Sequence, residues 1–474
     1  MKLSLQGFDS LYALEQISLM LFPDGKTTVD GENAASCRVS QTERFITVSV
    51  DILYRDKIAH ARCRVGYNET DRIAKVNRAI RVSFFRAAVR ILGYSPSWGA
   101  LSGVRPVKLA RREAEGCSDQ KKIAAAMSEK YFLSPEKADL VASVALNTIE
   151  HEKRLGSGDI SVYVGIPFCP TRCVYCSFVT SSLKAAAKTV EPYLEVLHKE
   201  IDHAGKLIKQ KGFTVKSVYI GGGTPTSLTA DQLRALMEKI SSSLDLSDME
   251  EYTVEAGRPD TIDLEKLVAF KEYGVTRVSV NPQSMDEGTL KTIGRVHTPG
   301  DCVRAYEMVR RAGIRDVNMD LIAGLPGESA EVFACSLIQV AALKPENVTV
   351  HTLALKKGSE LRRSAAGVCD MHTVGDMLAA VPEALHKYRP YYLYRQKYME
   401  GSFENVGYCL PGRECLYNIY IMEELHSIIS LGAGGVTKLV SCGTIKRTAN
   451  PKYPFEYIGS LDKIITDKER LFGL

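Results

Sequence analysis

Between Ser161 and Thr352 the chain alternates short β-branched runs with longer amphipathic ones, six times over. Strand patterns fall at residues 161–166, 216–220, 251–256, 276–281, 315–322 and 346–352. Helical patterns intervene, for example over 191–209, 230–244, 263–272 and 299–312. Strands that alternate with helices pair in parallel through right-handed crossovers. Six units fall short of the eight that close a barrel, so a partial (βα)6 barrel is expected. In such a fold the reacting groups gather at the C-terminal ends of the strands.

The first strand runs into an unusual loop. Ser161–Ile166 is rich in Val, Ile and Tyr, and Pro167 stops it because proline cannot donate to a ladder. Cys169, Cys173 and Cys176 follow with C-x3-C-x2-C spacing. Iron–sulfur clusters are held by Cys thiolates, normally four. Three thiolates would hold a [4Fe–4S] cubane and leave one iron open to chelation by the amino and carboxylate groups of S-adenosylmethionine, a pairing used in radical chemistry. A structural zinc site would need a fourth ligand, and the nearest candidates, Ser177 and His198, stand at no usual spacing. Ordinary buried thiols are common, but three on one eight-residue loop are not.

Later strand ends are polar as well. Gly221-Gly-Gly-Thr-Pro-Thr226 follows the second strand, where glycines let a ligand approach the backbone closely. Glu255 ends the third strand, Asn281-Pro-Gln283 the fourth and Asp320 the fifth. Any one of them is an ordinary cap or turn residue; several converging on one rim is what a polar cofactor pocket requires. Arg295 and His297 lie in the loop after the fourth strand, and Gly324-Leu-Pro-Gly-Glu328 follows the fifth. A lone histidine such as His297 is more often structural than catalytic.

The chain is too long for one ordinary core. No apolar run reaches the roughly 20 residues of a membrane span, and the N-terminus lacks a signal-peptide core. Twelve scattered cysteines suit a reducing cytoplasm better than a disulfide scaffold. The net charge of +5 resides in residues 1–150, with 22 Lys and Arg against 17 Asp and Glu; the remainder balances. Spread so thinly, it reads as a solvated face and not as a nucleic-acid patch. Phe45–Tyr54 and Ile58–Tyr67 alternate as a hairpin with one wet face, and a helix over Asp71–Leu92 should close at Gly93. Trp98 sits in a loop expected to pack against the next domain. Arg105, Lys108, Arg111 and Arg112 form a basic cluster read as an exposed helix face.

From about residue 355 the alternation fades. Tyr388, Tyr391, Tyr392, Tyr394 and Tyr398 crowd with Arg389, Arg395 and Lys397. This mix suits either a flat aromatic ligand bearing carboxylates or side chains at a domain seam. Cys409 and Cys415 bracket a Pro-Gly turn and read as structural.

The motifs YVGIPFCPTRCVYC, GGGTPT, GRVHT, NMDLIAGLPGE and ENVGY…YNIYIMEE…LGAGG together resemble the oxygen-independent coproporphyrinogen III dehydrogenase (oxidase) family of radical S-adenosylmethionine (radical SAM) enzymes, in its HemZ-like branch. The resemblance covers residues 160–440, and WGALSGVRPVKL extends it into the N-terminal region. It implies a [4Fe–4S] cluster on Cys169, Cys173 and Cys176, with S-adenosylmethionine contacted by Tyr163, Gly222 and Glu255. Tyr175, Gly223, Thr224, Gln283, Arg295 and Asp320 match positions that hold a second cofactor molecule in the family. The implied reaction converts two propionates of coproporphyrinogen III to vinyl groups, giving protoporphyrinogen IX in anaerobic haem biosynthesis. A low-potential electron donor would serve it, with no nucleic acid involved. The layout expected is an N-terminal α+β domain (1–153), a radical SAM core (160–355) and a mainly helical C-terminal substrate domain (356–474).

One departure stands out. The established dehydrogenases carry a fourth cysteine two residues after the third; here that position is Phe178. A haem-chaperone branch shares this departure, but its H-N-x-x-Y-W haem motif is reduced here to Tyr417-Asn418-Ile-Tyr420, without the His or Trp. Haem binding without decarboxylation and radical methylation of haem are therefore the alternative readings.

Overall fold

The structure is a computed structural model that describes residues 1–473 except 23–24, 26, 29–30, 179–180, 357, 365–368, 397–402 and 442. It divides into two compact units, one of residues 1–149 with 393–405, the other of residues 150–392 with 406–474.

The first unit is built on a four-stranded sheet, β1 (Lys2–Gln6), β2 (Ala34–Gln41), β3 (Phe45–Tyr54) and β4 (Lys57–Gly66), in that spatial order. β3 and β4 pair from Phe45↔Gly66 to Tyr54↔Lys57. Their two-residue turn, Arg55-Asp56, has both residues at positive φ, the backbone twist a tight hairpin demands. Alternate residues Ile46, Val48, Val50 and Ile52 are buried, as the sequence periodicity required. The apolar stripes of α1 (Tyr12–Leu21) and α2 (Arg72–Leu92) join them in one core. Gly93, at φ +78°, ends α2. The helices α3 (Val107–Glu113), α4 (Gln120–Tyr131) and α5 (Pro135–Glu152) follow.

The second unit is a long mixed sheet with helices packed on it. Its centre is the six parallel strands expected: β5 (Asp159–Ile166), β6 (Thr214–Gly222), β7 (Glu251–Glu255), β8 (Arg277–Ser279), β9 (Asp316–Ala323) and β10 (Asn347–Thr352). Nearly every one of these strands is buried along its length, which is why they read as apolar runs. The intervening helices start where the sequence supplies a cap: Thr229, Asp263, Thr298 and Ser329 each accept a backbone N–H of the first turn. The first long crossover helix is α6 (Val190–Lys211).

The C-terminal extension is richer in helix than in strand, as expected, and it also adds strands at both ends of the parallel set. β11 (Glu404–Cys409) pairs antiparallel with β10, and β12 (Ser427–Leu431) pairs in parallel with β5, followed outward by β13 (Val436–Ser441) and β14 (Thr444–Ala449). A buried carboxylate fastens β12 in place. Glu200 of α6 accepts from Gly432 N (2.7 Å), Asn450 Nδ2 (2.8 Å) and the Tyr457 hydroxyl (2.5 Å), and it pairs with Lys468. Burial opposes ionisation of Glu200, but the Lys468 charge and these donors overcome it and hold its pKa below the usual value.

Candidate functional site

The cysteine loop leaves the C-terminal end of β5 and is pinned on several sides. Phe168–Cys169 forms a short bridge with Ser181–Ser182. Gly223 N donates to Ile166 O (2.8 Å) and Thr224 N to Phe168 O (2.7 Å), while the Thr224 hydroxyl reaches Cys169 Sγ (3.4 Å). Val174 N donates to Ile293 O, and Arg258 holds the Thr171 hydroxyl (2.9 Å). All three cysteines are half-buried, and none is in a disulfide.

The glycine turn at the end of β6 lies close against this loop: one of its residues has no room for a side chain and another holds a backbone that side chains disfavour. At Gly223 a Cβ would stand 2.5 Å from Phe168 O and 2.8 Å from Ile166 O. At Gly222 φ is +109°, a region L-residues rarely enter. Gly222 N donates to Glu255 Oε2 (3.1 Å), and the Tyr219 hydroxyl donates to Glu255 Oε1 (2.6 Å). Burial pushes the Glu255 carboxyl above its ordinary pKa against these two donors, and the nearby Asp320 charge adds to the rise.

Tyr163, Tyr219 and Tyr417 stack side by side, with ring centroids 6.2, 4.4 and 6.1 Å apart around the trio. Tyr219 was not singled out by sequence, and Tyr417 was named only as part of a reduced haem motif, not as part of this stack. The period-2 alternation of β6 puts Tyr219 on the same face as Gly221, a signal that could have found it. Tyr417 has no local signal. It is brought in because Glu251 accepts from Leu416 N (2.9 Å) and Tyr417 N (3.2 Å), while Arg277 binds the carbonyls of Arg413 and Glu414.

Asp320 and Gln283 occupy the next stretch of rim. Asp320 accepts from Asn318 Nδ2 (2.7 Å) and faces His351 Nε2 at 3.8 Å. Burial opposes its ionisation, but His351 and Asn318 prevail and lower its pKa. Gln283 holds a left-handed backbone, φ +69°, between hydrogen bonds to Asp320 O and from Ile322 N. Such a conformation in a non-glycine residue is strained and gathers at functional sites. Arg295 is buried and spent on the protein itself: it donates to Asn281 O (2.6 Å), Gly257 O (3.1 Å) and the Tyr175 hydroxyl (3.3 Å). His297 is buried nearby, its pKa lowered by burial and by Arg295 to about 4.

Three side-chain oxygens, Thr253 Oγ1 in the middle of β7 and Asn281 Oδ1 and Gln283 Oε1 just beyond β8, are buried without a hydrogen-bond partner among the described residues. An orphaned buried acceptor destabilises the fold by about 1–3 kcal/mol unless something meets it. The amino group and ribose hydroxyls of S-adenosylmethionine are donors of the kind these oxygens lack. Among the described residues no three His, Cys, Asp or Glu side chains converge closely enough to hold a single metal ion. A cubane asks for less convergence, because each thiolate binds a different iron. Three half-buried thiols on one loop, with these orphaned oxygens, are a donor set that a cluster and S-adenosylmethionine would use.

Of the two readings of the tyrosine–arginine segment, its described side chains favour packing over a ligand grip. Arg395, on the strand Arg389–Arg395, is 2% exposed within the first unit; its guanidinium lies over the Trp98 ring (4.4 Å to the centroid) and donates to Leu101 O. Trp98 itself donates to Glu404 (2.8 Å) in the same unit. Tyr388 donates to Pro345 O, and Tyr391 and Tyr392 are buried. These side chains serve the core and do not form a ligand grip. Lys397 and Tyr398 lie outside the described residues.

A sheet of parallel βα units with a cysteine loop on its first strand defines the radical SAM class. The model of the Radical SAM superfamily matches residues 163–334. A solved structure titled "Coproporphyrinogen III oxidase (HemN) from Escherichia coli is a Radical SAM enzyme" shares the fold, with a TM-score of 0.54, 22% identity and coverage of 68% of this chain and 73% of that one. The oxygen-independent coproporphyrinogen-III oxidase-like protein HemZ of Bacillus subtilis (strain 168) is 37% identical over 96% of this chain and 95% of its own length. The heme chaperone HemW of Escherichia coli (strain K12) is 29% identical over 62% of this chain and 74% of its own. The chain belongs to the radical SAM superfamily, in its family of HemZ-like, oxygen-independent coproporphyrinogen-III oxidase-like proteins. Membership implies a [4Fe–4S] cluster and S-adenosylmethionine as cofactors.

Proposed function

We propose that the protein is a radical SAM enzyme that decarboxylates two propionates of coproporphyrinogen III to vinyl groups in anaerobic haem biosynthesis. The observation that carries this reading is the end-to-end likeness to a relative named for coproporphyrinogen-III oxidase. The rim of polar strand ends described above supports it. Cys169, Cys173 and Cys176 would hold the cluster, and Tyr163, Gly222 and Glu255 would contact the cofactor bound to it. When bound, the cluster and S-adenosylmethionine supply a carbon radical that removes a hydrogen atom from a substrate carbon. The protein's own part is placement. Arg295 and Thr224 act as positioning residues: one ties Tyr175 of the cysteine loop to the backbone after β7 and β8, the other steadies Cys169. Gln283 and Asp320 offer polar atoms on the adjacent rim for cofactor or substrate. The stacked phenols of Tyr163, Tyr219 and Tyr417 adjoin Gly222 and Glu255 through the Tyr163 and Tyr219 hydroxyls, and would help keep water from the cofactor. Each propionate loses a hydrogen atom, an electron and CO2, so a low-potential donor must start the cycle and an acceptor must take the last electron.

The test is anaerobic turnover of coproporphyrinogen III with reconstituted cluster, S-adenosylmethionine and a reductant, read by mass analysis of the tetrapyrrole. Two successive losses of the mass of CO2 plus two hydrogens are expected; an unchanged tetrapyrrole beside accumulating deoxyadenosine would overturn the substrate assignment. One observation favours a second reading. Phe178 stands, 64% exposed, where the decarboxylating enzymes carry a fourth cysteine, and relatives lie among the heme chaperones. Tight haem binding with no decarboxylation would decide for that reading.

A further inference from the structure

The loop after β7 reaches the cysteine loop through a buried cation. Arg258 is 2% exposed and turns its guanidinium in two directions. Nε and Nη2 donate to the two carboxylate oxygens of Asp260 (3.0 and 3.2 Å), a fork that fixes the plane of the group. Nη1 is thereby aimed at the hydroxyl of Thr171, 87 residues away in sequence and 2.9 Å away in space. Thr171 is exposed and stands midway between Cys169 and Cys173.

The footing of this arginine is firm. Its carbonyl accepts from the Thr261 hydroxyl (2.7 Å), which also meets Thr226 Oγ1 (2.6 Å) of the glycine turn. Lys266 Nζ donates to Thr226 O (2.9 Å) and Thr261 O (2.8 Å), joining the turns after β6 and β7 into one piece. Each end of the cysteine loop has its own holder, Thr224 at Cys169 and the Val174–Ile293 bond beyond Cys173. Between them Pro170, Thr171 and Arg172 form neither helix nor strand. Arg172 reaches Gly358 O from an exposed position, whereas Arg258 meets this span from the buried side.

Asp260 alone neutralises the buried charge of Arg258. The bond to Thr171 does something further: it holds a stretch of irregular backbone whose ordering costs entropy. We propose that Arg258 is a positioning residue of the cluster site, its guanidinium oriented by Asp260 so that Thr171 keeps Cys169 and Cys173 at the separation the cluster takes. This role rests on the reading that these cysteines hold a [4Fe–4S] cluster. Removing a hydrogen bond that orients a metal ligand typically lowers metal affinity by roughly 10–100-fold. Arg258 acts through Thr171, two residues from either cysteine, so the lower end applies.

The test uses the full chain with reconstituted cluster, challenged anaerobically with excess EDTA and followed by its visible absorbance. Thr171→Val, which keeps the branched shape and removes the hydroxyl, should lose its cluster about tenfold faster than wild type, and Arg258→Lys likewise. Thr171→Ser, which keeps the hydroxyl, should match wild type. A merely structural role would not separate valine from serine at an exposed position, and thermal unfolding of the metal-free variants checks that each folds. If Arg258→Lys does not fold, the Thr171 pair decides. Wild type that takes up no iron would overturn the cluster reading and the positioning role with it. Normal loading of wild type, with Thr171→Val holding its cluster as long as wild type does, would overturn the positioning role alone.

Discussion

Replacing Gly223 by alanine is the most incisive perturbation of the site that leaves its chemistry untouched. The added Cβ would stand 2.5 Å from Phe168 O and 2.8 Å from Ile166 O. Both atoms are backbone, and both already accept hydrogen bonds from this turn. No rotamer can relieve the contact, so the turn and the end of β5 must separate. Overpacking of this kind costs about 1–3 kcal/mol, and a clash against two backbone carbonyls belongs at the upper end. Because Thr224 N–H and the Thr224 hydroxyl hold Phe168 and Cys169, separation takes the cysteine loop out of register. About 3 kcal/mol is roughly a hundredfold in the population of the assembled site. The assay is anaerobic equilibrium binding of S-adenosylmethionine to the reconstituted protein, with iron counted per chain. The expected result is about a hundredfold weaker binding or a matching loss of iron. Full iron with affinity within twofold of wild type would refute the claim that turn and loop are held as one body.

Three further predictions rest on other parts of the molecule. Glu328 is 3% exposed and its pKa is raised by burial to about 7, against an ordinary 4.5. A carboxyl raised in the fold contributes stability that is complete below pH 4.5 and lost as pH rises through 7. Glu328→Gln should therefore gain up to about 3 kcal/mol over wild type at pH 8 and little at pH 4.5, measured by urea unfolding; a difference independent of pH would contradict this. Lys468→Met strands the buried Glu200 charge and should destabilise the second unit by about 3–5 kcal/mol, partly restored by adding Glu200→Gln; no loss of thermal stability would count against the pairing. Arg395→Ala removes the Trp98 contact and leaves Leu101 O without that donor, costing the first unit about 2–3 kcal/mol while deoxyadenosine formation continues; loss of cleavage without loss of stability would reverse the structural role assigned to Arg395.

The parallel core was legible because its strands are buried on both faces and its helices announce themselves with Thr229, Asp263, Thr298 and Ser329. The residues at the strand ends were legible because a (βα) layout fixes where loops converge, and the structure does bring Tyr163, Gly222 and Glu255 together, with Thr224 beside Cys169. What stayed hidden depends on contacts distant in sequence. Tyr417 enters the stack only through Glu251 and Arg277, more than a hundred residues away. β12 shows only a short apolar run, and its parallel place beside β5 follows from the Glu200 anchor on α6. Arg395 carries the composition of a ligand grip, yet Trp98, nearly three hundred residues earlier, takes it into a core. Burial of an arginine against an aromatic ring cannot be read from the arginine's neighbours in sequence.

If the three-cysteine site works as a radical SAM centre although Phe178 replaces the fourth cysteine, it cleaves S-adenosylmethionine reductively. The most direct measurement is 5′-deoxyadenosine released from S-adenosylmethionine by the reconstituted, dithionite-reduced protein, wild type beside Cys173→Ala. Wild type should release at least one deoxyadenosine per chain and the variant none, and the variant should also lose its visible absorbance. A wild-type protein that carries a full cluster and releases none, or a variant that releases as much, would contradict it.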